Sequence, residues 1–261
     1  MKGKRVLATA RLIGSAFVEC FLPQFCLLCG TRITSREKLC SRCLGSLKPE
    51  PLFFCPLCRF EGERKARSEE KSESGTKSGT ESGSRAGSRN CAKEAHSFVT
   101  GGAAVRAGAE ILSLVHRFKY SGQRELAPLL ARLILDSGIV DENFRGFQLM
   151  CPVPLFRTRL RERGFNQSED IAVNLEKYSG VPVIPDILSK LKPTAEQAKL
   201  AGSSRRRNLL GSFVVARPGV VSGKSVVLVD DVITTGSTVA ACIEALRTSN
   251  VSRVFVVAIA A

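Results

Sequence analysis

The chain has 261 residues, room for one or two compact domains at roughly 100–200 residues each. Apolar residues make up 44% and charged residues 24%, which excludes a chain disordered from end to end. Thirty-nine Lys and Arg against 24 Asp and Glu leave a net charge of +15, and that surplus points to an anionic partner: a phosphate compound, nucleic acid or a membrane surface.

At the N-terminus, Lys2, Lys4 and Arg5 precede an apolar run with the outline of a signal peptide. Arg11 interrupts the run, and Glu19 stands before Cys20, where a lipoprotein cleavage site needs a small residue. Val6–Phe21 therefore reads as an amphipathic helix ending near Pro23, packed on its own domain or laid against a membrane. No other apolar stretch reaches the roughly 18–20 residues that span a bilayer. The expectation is a cytoplasmic protein with no stable membrane insertion.

Six of the ten cysteines follow in three C-x-x-C pairs: Cys26/Cys29, Cys40/Cys43 and Cys55/Cys58. A secreted disulfide scaffold is usually shorter and lacks this repeat, so a metal site in a reducing compartment fits better. Each C-x-x-C is a tight turn offering two thiolates, and two turns complete a tetrahedron, so Cys26, Cys29, Cys40 and Cys43 are expected to hold a structural Zn2+. The alternative is a set of reduced, buried cysteines acting as small hydrophobes. The third pair has no fourth C-x-x-C. Either Cys55, Cys58 and Cys91 hold a second zinc with Glu94 or His96, or that site is degenerate and binds no metal.

Residues 61–90 contain no aromatic and no β-branched hydrophobe, and their seven basic and six acidic residues nearly cancel. Such a stretch cannot bury enough apolar surface to offset its ordering entropy, and reads as a flexible linker. The expected organisation is an N-terminal helix and zinc-ribbon module (1–60), the linker (61–90) and a larger domain (91–261). The surplus charge lies outside the linker: nine basic against two acidic residues in 1–48, and 21 against 14 in 95–261, a net +7 in each.

Beyond the linker, apolar runs predict strands at Phe98–Val105, Phe147–Pro154, Ser212–Ala216, Ser225–Val229 and Arg253–Ala260. Helical patterns lie between them at Ala109–Phe118, Glu125–Ser137, Asn166–Tyr178 and Ser237–Thr248. Continuous apolar strands alternating with helices predict an α/β fold with a parallel sheet covered on both faces.

The segment VVLVDDVITTGST, Val226–Thr238, carries the sharpest chemistry. Four apolar residues make a buried strand, Asp230 and Asp231 stand at its carboxyl end, and a small hydroxyl-rich loop opens a helix. Ligands of open α/β sheets bind at that end. Free backbone N–H groups, Ser/Thr hydroxyls and the helix dipole make a phosphate cradle. Two adjacent carboxylates beside it can accept hydrogen bonds from vicinal ribose hydroxyls. The competing reading is a Ser/Thr-rich helix cap with two solvated aspartates.

This segment resembles the 5-phosphoribosyl-1-diphosphate (PRPP) motif of type I phosphoribosyltransferases. The resemblance puts Asp230 and Asp231 on the ribose, and Thr234, Thr235, Gly236, Ser237 and Thr238 on the 5′-phosphate. Other segments narrow the match: Cys151-Pro-Val-Pro-Leu155, then Arg157, Arg159, Arg161 and Arg163 before Gly164-Phe165-Asn166-Gln167. Thr194-x-x-Gln197-x-x-Leu200 follows, with Arg205 and Asn208, and His116–Gly122 contributes a basic, aromatic turn around Lys119 and Tyr120. In this order the segments resemble the ComF family, bacterial competence protein F-like phosphoribosyltransferase homologues. The resemblance implies a type I phosphoribosyltransferase fold with a small N-terminal zinc ribbon, PRPP bound with Mg2+, and a link to DNA uptake and natural transformation.

The residues are compatible with two functions. In the first the protein is an enzyme: a nucleophile displaces diphosphate at the anomeric carbon of PRPP through an oxocarbenium-like transition state. Asp230 and Asp231 orient the ribose, Arg163 steadies the leaving diphosphate, and Lys119 and Arg205 add to the binding site; the acceptor is not named by the residues. In the second it is a non-catalytic competence factor that binds single-stranded DNA, meets other competence proteins and uses PRPP only as a ligand. The Arg157–Arg163 and Arg205–Arg207 clusters would then track a strand on which Phe165 and Tyr120 stack.

Overall fold

The computed structural model describes residues 24–34, 38–57, 97–192 and 211–261. The expected helix at Val6–Phe21 and the linker at 61–90 lie outside the described residues.

Strands β1 (Gln24–Phe25) and β2 (Arg32–Ile33) pair antiparallel around the first C-x-x-C turn, and helix α1 (Ser41–Ser46) starts inside the second. Strand β3 (Leu52–Phe54) then enters the main sheet and pairs antiparallel with β4 (Val99–Val105), Leu52 opposite Ala103 and Phe54 opposite Gly101. A segment of the N-terminal 60 residues thus supplies the edge strand of the larger domain.

The chain continues through α2 (Ala109–Tyr120), a 3-10 turn at Arg124–Leu126, α3 (Ala127–Asp136), α4 (Ile139–Asn143) and β5 (Leu149–Pro152). Next come α5 (Arg157–Arg163), α6 (Gln167–Ser179), β6 (Leu188–Lys190), β7 (Phe213–Val215) and α7 (Pro218–Val221). β8 (Ser225–Val232), α8 (Ser237–Thr248) and β9 (Arg253–Ala260) complete it. The sheet order is β3-β4-β9-β8-β5, with β4, β9, β8 and β5 mutually parallel. One expectation is corrected: Ser212–Ala216 is no strand of this sheet. Phe213–Val215 pairs antiparallel with Leu188–Lys190 in a separate two-stranded ribbon.

The sheet is apolar on both faces, as continuous hydrophobic strands require. Val227, Val229, Phe255, Val257 and Ile259 pack with α2, α3 and α6 on one side. Val226, Leu228, Val254, Val256 and Ala258 pack with α8 and the β6–β7 ribbon on the other. Each fully buried Val, Leu or Phe contributes about 1.5–3 kcal/mol, so β8 and β9 are the best-anchored elements and whatever stands at their carboxyl ends is held rigidly. The cysteine module joins the same structure: Cys26, Leu39, Cys43 and Leu47 are buried in one cluster with Leu114, Phe118 and Leu126.

Local sequence explains the helix limits near the site. Gly164, left-handed at φ 76°, ends α5, and Asn166 caps α6 by accepting the Ser168 N–H at 3.1 Å. Asn166 also donates to the Val153 carbonyl at 3.1 Å, tying the start of α6 to the end of β5.

Candidate functional site

β8 carries Asp230 and Asp231 past its buried Val226–Val229 stretch to the carboxyl end of the sheet. Asp231 is 7% exposed and Asp230 half-buried. Their backbone is locked by their own side chains: the Asp231 N–H donates to Asp230 Oδ1 at 2.9 Å, and the Val232 N–H to Asp231 Oδ1 at 2.6 Å. Lys119 Nζ, at the end of α2, lies 2.9 Å from Asp231 Oδ1. Ser168 in the first turn of α6 donates its hydroxyl to Asp230 Oδ1 at 3.3 Å. Burial, and then the charge of Asp231, push the Asp230 carboxyl up to about 7; Lys119 and Ser168 pull the other way.

The following loop has the form of an anion cradle. Ile233 is buried and anchors it, while Thr234 and Thr235 face outward. Gly236 turns the chain at φ 68°, a left-handed conformation that a side chain would resist, and α8 begins at Ser237. Thr235 Oγ1 and Ser237 Oγ are 2.9 Å apart, and the Ser237 N–H donates to Thr235 Oγ1 at 3.4 Å. The first-turn amides of a 12-residue helix and these hydroxyls converge one turn beyond the carboxylate pair.

Arg163 stands beside this group without touching the aspartates. Its guanidinium donates to Gln167 Oε1 at 2.9 Å and to the Tyr120 hydroxyl at 3.2 Å, and lies 4.8 Å from the Tyr120 ring centroid. Tyr120 follows Lys119, so one helix end links the arginine to the carboxylates. Arg157, Arg159, Arg161 and Arg163 belong to helix α5, which buries none of its residues. Arg205, with Thr194, Gln197, Leu200 and Asn208, lies outside the described residues, as do Cys58, Cys91, Glu94 and His96. Phe165 cannot stack on a base: it is 5% exposed, packed on Phe118 at 5.5 Å and covered by Arg124 at 5.1 Å. Tyr120 is 55% exposed.

Two residues near the site escape a sequence reading. Ser168 is one more small polar residue at a helix start, and only the fold sets it against Asp230. Lys190 ends β6 with its ammonium 5.3 Å from the Phe213 ring centroid, within electrostatic reach of Asp230 and Arg159. Burial pulls its pKa down from the ordinary lysine value. In L-S-K-L-K it looks like a loop lysine, because the partner strand lies 23 residues away at Phe213.

The four cysteines Cys26, Cys29, Cys40 and Cys43 converge, all four sulfurs within 4.8 Å of one another. Cys29 Sγ and Cys40 Sγ are 3.7 Å apart, close to the edge of about 3.8 Å of a tetrahedron with 2.3 Å zinc–sulfur bonds. Hydrogen bonding with the Thr31 hydroxyl and backbone holds the Cys29 thiol down to about 5. The donor set therefore fits a tetrahedral metal ion; the geometry does not name which one. Among the described residues no helix is long and apolar enough to cross a membrane.

Comparison with known proteins agrees with this geometry. Residues 156–261 match the phosphoribosyl transferase domain family. The "DNA utilization protein YhgH" of Salmonella typhimurium is 38% identical over 130 residues, 49% of this chain and 56% of that protein, so the chain aligns with little more than half the length of such relatives. The "Competence protein F" of Haemophilus influenzae is 28% identical over 236 residues, 88% of this chain and 93% of that protein. A glutamine PRPP amidotransferase structure from B. subtilis, complexed with ADP and GMP, overlaps 52% of this chain and 26% of its own at 22% identity and a TM-score of 0.32, too slight a likeness to argue from. With a mixed, largely parallel sheet, an acidic pair and hydroxyl-rich loop at its carboxyl end, and a cysteine module at its edge, the chain is similar to the ComF-like proteins of phosphoribosyltransferase type.

Proposed function

We propose that the chain binds PRPP, with Mg2+, at the Asp230–Asp231 end of β8 and serves DNA uptake or utilisation, in line with relatives named for DNA utilization and for competence. One observation carries the reading: a rigid acidic pair is followed at once by a left-handed glycine and the hydroxyl-rich start of α8. In this assignment the α8 amides, Thr234, Thr235, Ser237 and Thr238 take the 5′-phosphate, and Asp230 and Asp231 accept from the ribose hydroxyls. Lys119, Arg163 and Arg205 supply positive charge toward the diphosphate. Mg2+ bound with PRPP would supply positive charge that offsets the diphosphate's own. The acceptor attacks the anomeric carbon, the bond to the diphosphate oxygen breaks, and its electron pair departs with diphosphate. Zn2+ on Cys26, Cys29, Cys40 and Cys43 staples the N-terminal module, and a reducing cytoplasmic setting keeps those thiols available.

Calorimetry with PRPP and Mg2+ tests the binding. The expected result is saturable binding by the native chain and at least about tenfold weaker binding by the Asp230→Asn/Asp231→Asn variant. Unchanged affinity would remove the ribose assignment. Diphosphate release measured against amines, bases and oligonucleotides separates an enzyme from a receptor of PRPP.

A second reading, single-stranded DNA binding, rests on α5. A helix that buries no residue and leaves Arg157 and Arg161 exposed spends no side chain on the core, and such a surface suits a phosphate backbone.

A further inference from the structure

At the amino ends of the parallel strands, on the side of the sheet opposite the aspartate pair, lies a cleft of about 200 Å3. Arg253 and Arg145 line it with Ser97, Thr100 and Asn143, and no Asp or Glu is among the described residues of its wall. Arg253 opens β9 in register with Ser225, five residues before Asp230 on β8, so about 16 Å of strand separates the cleft from the carboxylates.

Arg253 is held as a rigid cation. Its Nε–H donates to Ser225 Oγ at 3.2 Å, its Nη2 donates to the Gly146 carbonyl at 3.2 Å, and its guanidinium lies 4.5 Å from the Phe147 ring centroid. Gly146 makes room for it: a Cβ there would meet Arg253 Nη2 at 3.0 Å. These contacts fix one edge of the guanidinium by neutral acceptors and use no counter-charge. Arg145 donates its Nε–H to the Asp141 backbone carbonyl at 3.1 Å, again a neutral partner. Two guanidiniums around one polar cleft repel each other, and an oxyanion between them converts that repulsion into two charge-assisted, fork-shaped contacts.

We propose that this cleft is a second anion site, which takes a phosphate group between the Arg253 and Arg145 guanidiniums, remote from the aspartate pair. The phosphate belongs to a small molecule or to a nucleic-acid backbone; the chemistry recognised is the same. The cleft and its arginines are independent of PRPP at the aspartate pair.

The test follows the arginine Nε–H cross-peaks of the 15N-labelled full chain during titration with inorganic phosphate, ionic strength being held constant with chloride. The Arg253 and Arg145 peaks are expected to move saturably, and to do so equally in Thr235→Ala/Ser237→Ala, which weakens the α8 cradle. Arg145→Gln, an exposed change that leaves the Arg253 contacts in place, is expected to weaken the response about tenfold. Parallel titrations with AMP and with a single-stranded oligonucleotide identify the source: saturation by AMP marks a small ligand, and saturation by the oligonucleotide alone marks a backbone phosphate. Arginine peaks that stay still while the amides of residues 234–238 shift would overturn the proposal. So would an equal response to chloride, or an unchanged affinity in Arg145→Gln.

Discussion

The carbonyl oxygen of Pro56 lies 3.4 Å from the position a Cβ on Gly236 would occupy. The same proline meets Gly101, where a Cβ would stand 2.9 Å from Pro56 Cγ. The turn after β3 is thus wedged between β4 and the start of α8, and the N-terminal segment braces the loop assigned to the 5′-phosphate. Gly236→Ala is expected to cost about 1–2 kcal/mol for a left-handed side chain, and to lower PRPP affinity because the loop relaxes away from Pro56. Gly101→Ala, which also meets the Val256 carbonyl at 3.1 Å, is expected to cost about 1–3 kcal/mol by overpacking. Thermal melts and calorimetric titration of both variants measure this; wild-type melting and affinity in both would refute the bracing.

Asp230 makes stability pH-dependent in a direction unusual for an aspartate. Burial and Asp231 raise its carboxyl to about 7, above the ordinary 3.8. Between roughly pH 4 and 7 the folded chain holds a proton that the unfolded chain has lost, so stability falls as pH rises through that window. Asp230→Asn is expected to flatten the slope and to add on the order of 2 kcal/mol at pH 8. If ribose hydroxyls donate to the ionised carboxylate, PRPP affinity rises over the same window in the native chain. Lys119→Met removes the nearest cation and is expected to move the Asp230 titration, followed by carboxyl 13C shifts, still higher.

The cysteine cluster is built into the core rather than hung from it, since Cys26 and Cys43 share a buried cluster with Leu114 and Phe118. Metal loss should therefore be felt by the whole domain. Metal analysis of reduced protein is expected to find one zinc per chain, and chelation or Cys40→Ser to lower stability by several kcal/mol, on the order expected of a structural site. Reduced protein without metal, melting identically with and without chelator, would contradict this.

The elements that were legible in the sequence share one property: they face the core. Ser237–Thr248 and Arg253–Ala260 match residue for residue because their apolar periods report burial directly. The acidic pair and its loop were legible because they follow such a strand. Helix α5 gave no signal, since none of its residues is buried and no apolar period marks it. Leu52–Phe54 is too short for a period, and its place depends on pairing with residues some fifty positions away. Ser168 meets Asp230, and Lys190 comes within its electrostatic reach, through tertiary packing alone, which no local pattern encodes.

Lys190 gives a prediction that separates function from stability. Burial disfavours its charge, so the ammonium costs the fold something that an apolar side chain would not. Lys190→Met is expected to keep or raise the melting temperature while weakening PRPP binding about tenfold. A loss of both together would mark Lys190 as a packing residue.

The arginines of α5 decide between a surface for nucleic acid and a charge that serves only the neighbouring site. Arg157 and Arg161 are exposed. If a single strand lies along α5, each phosphate contact releases counterions, and the log–log dependence of affinity on salt steepens by about 0.7 per contact. Arg157→Gln/Arg161→Gln removes two such contacts. The slope is expected to become about 1.4 shallower, with affinity falling most at low salt and no dependence on base sequence. PRPP binding should change little, since Arg163, the α5 arginine assigned to the diphosphate, keeps its contacts to Tyr120 and Gln167. Fluorescence anisotropy of a labelled oligonucleotide at several salt concentrations measures the slope. An unchanged slope in the double variant would assign the basicity of α5 to something other than a nucleic-acid backbone.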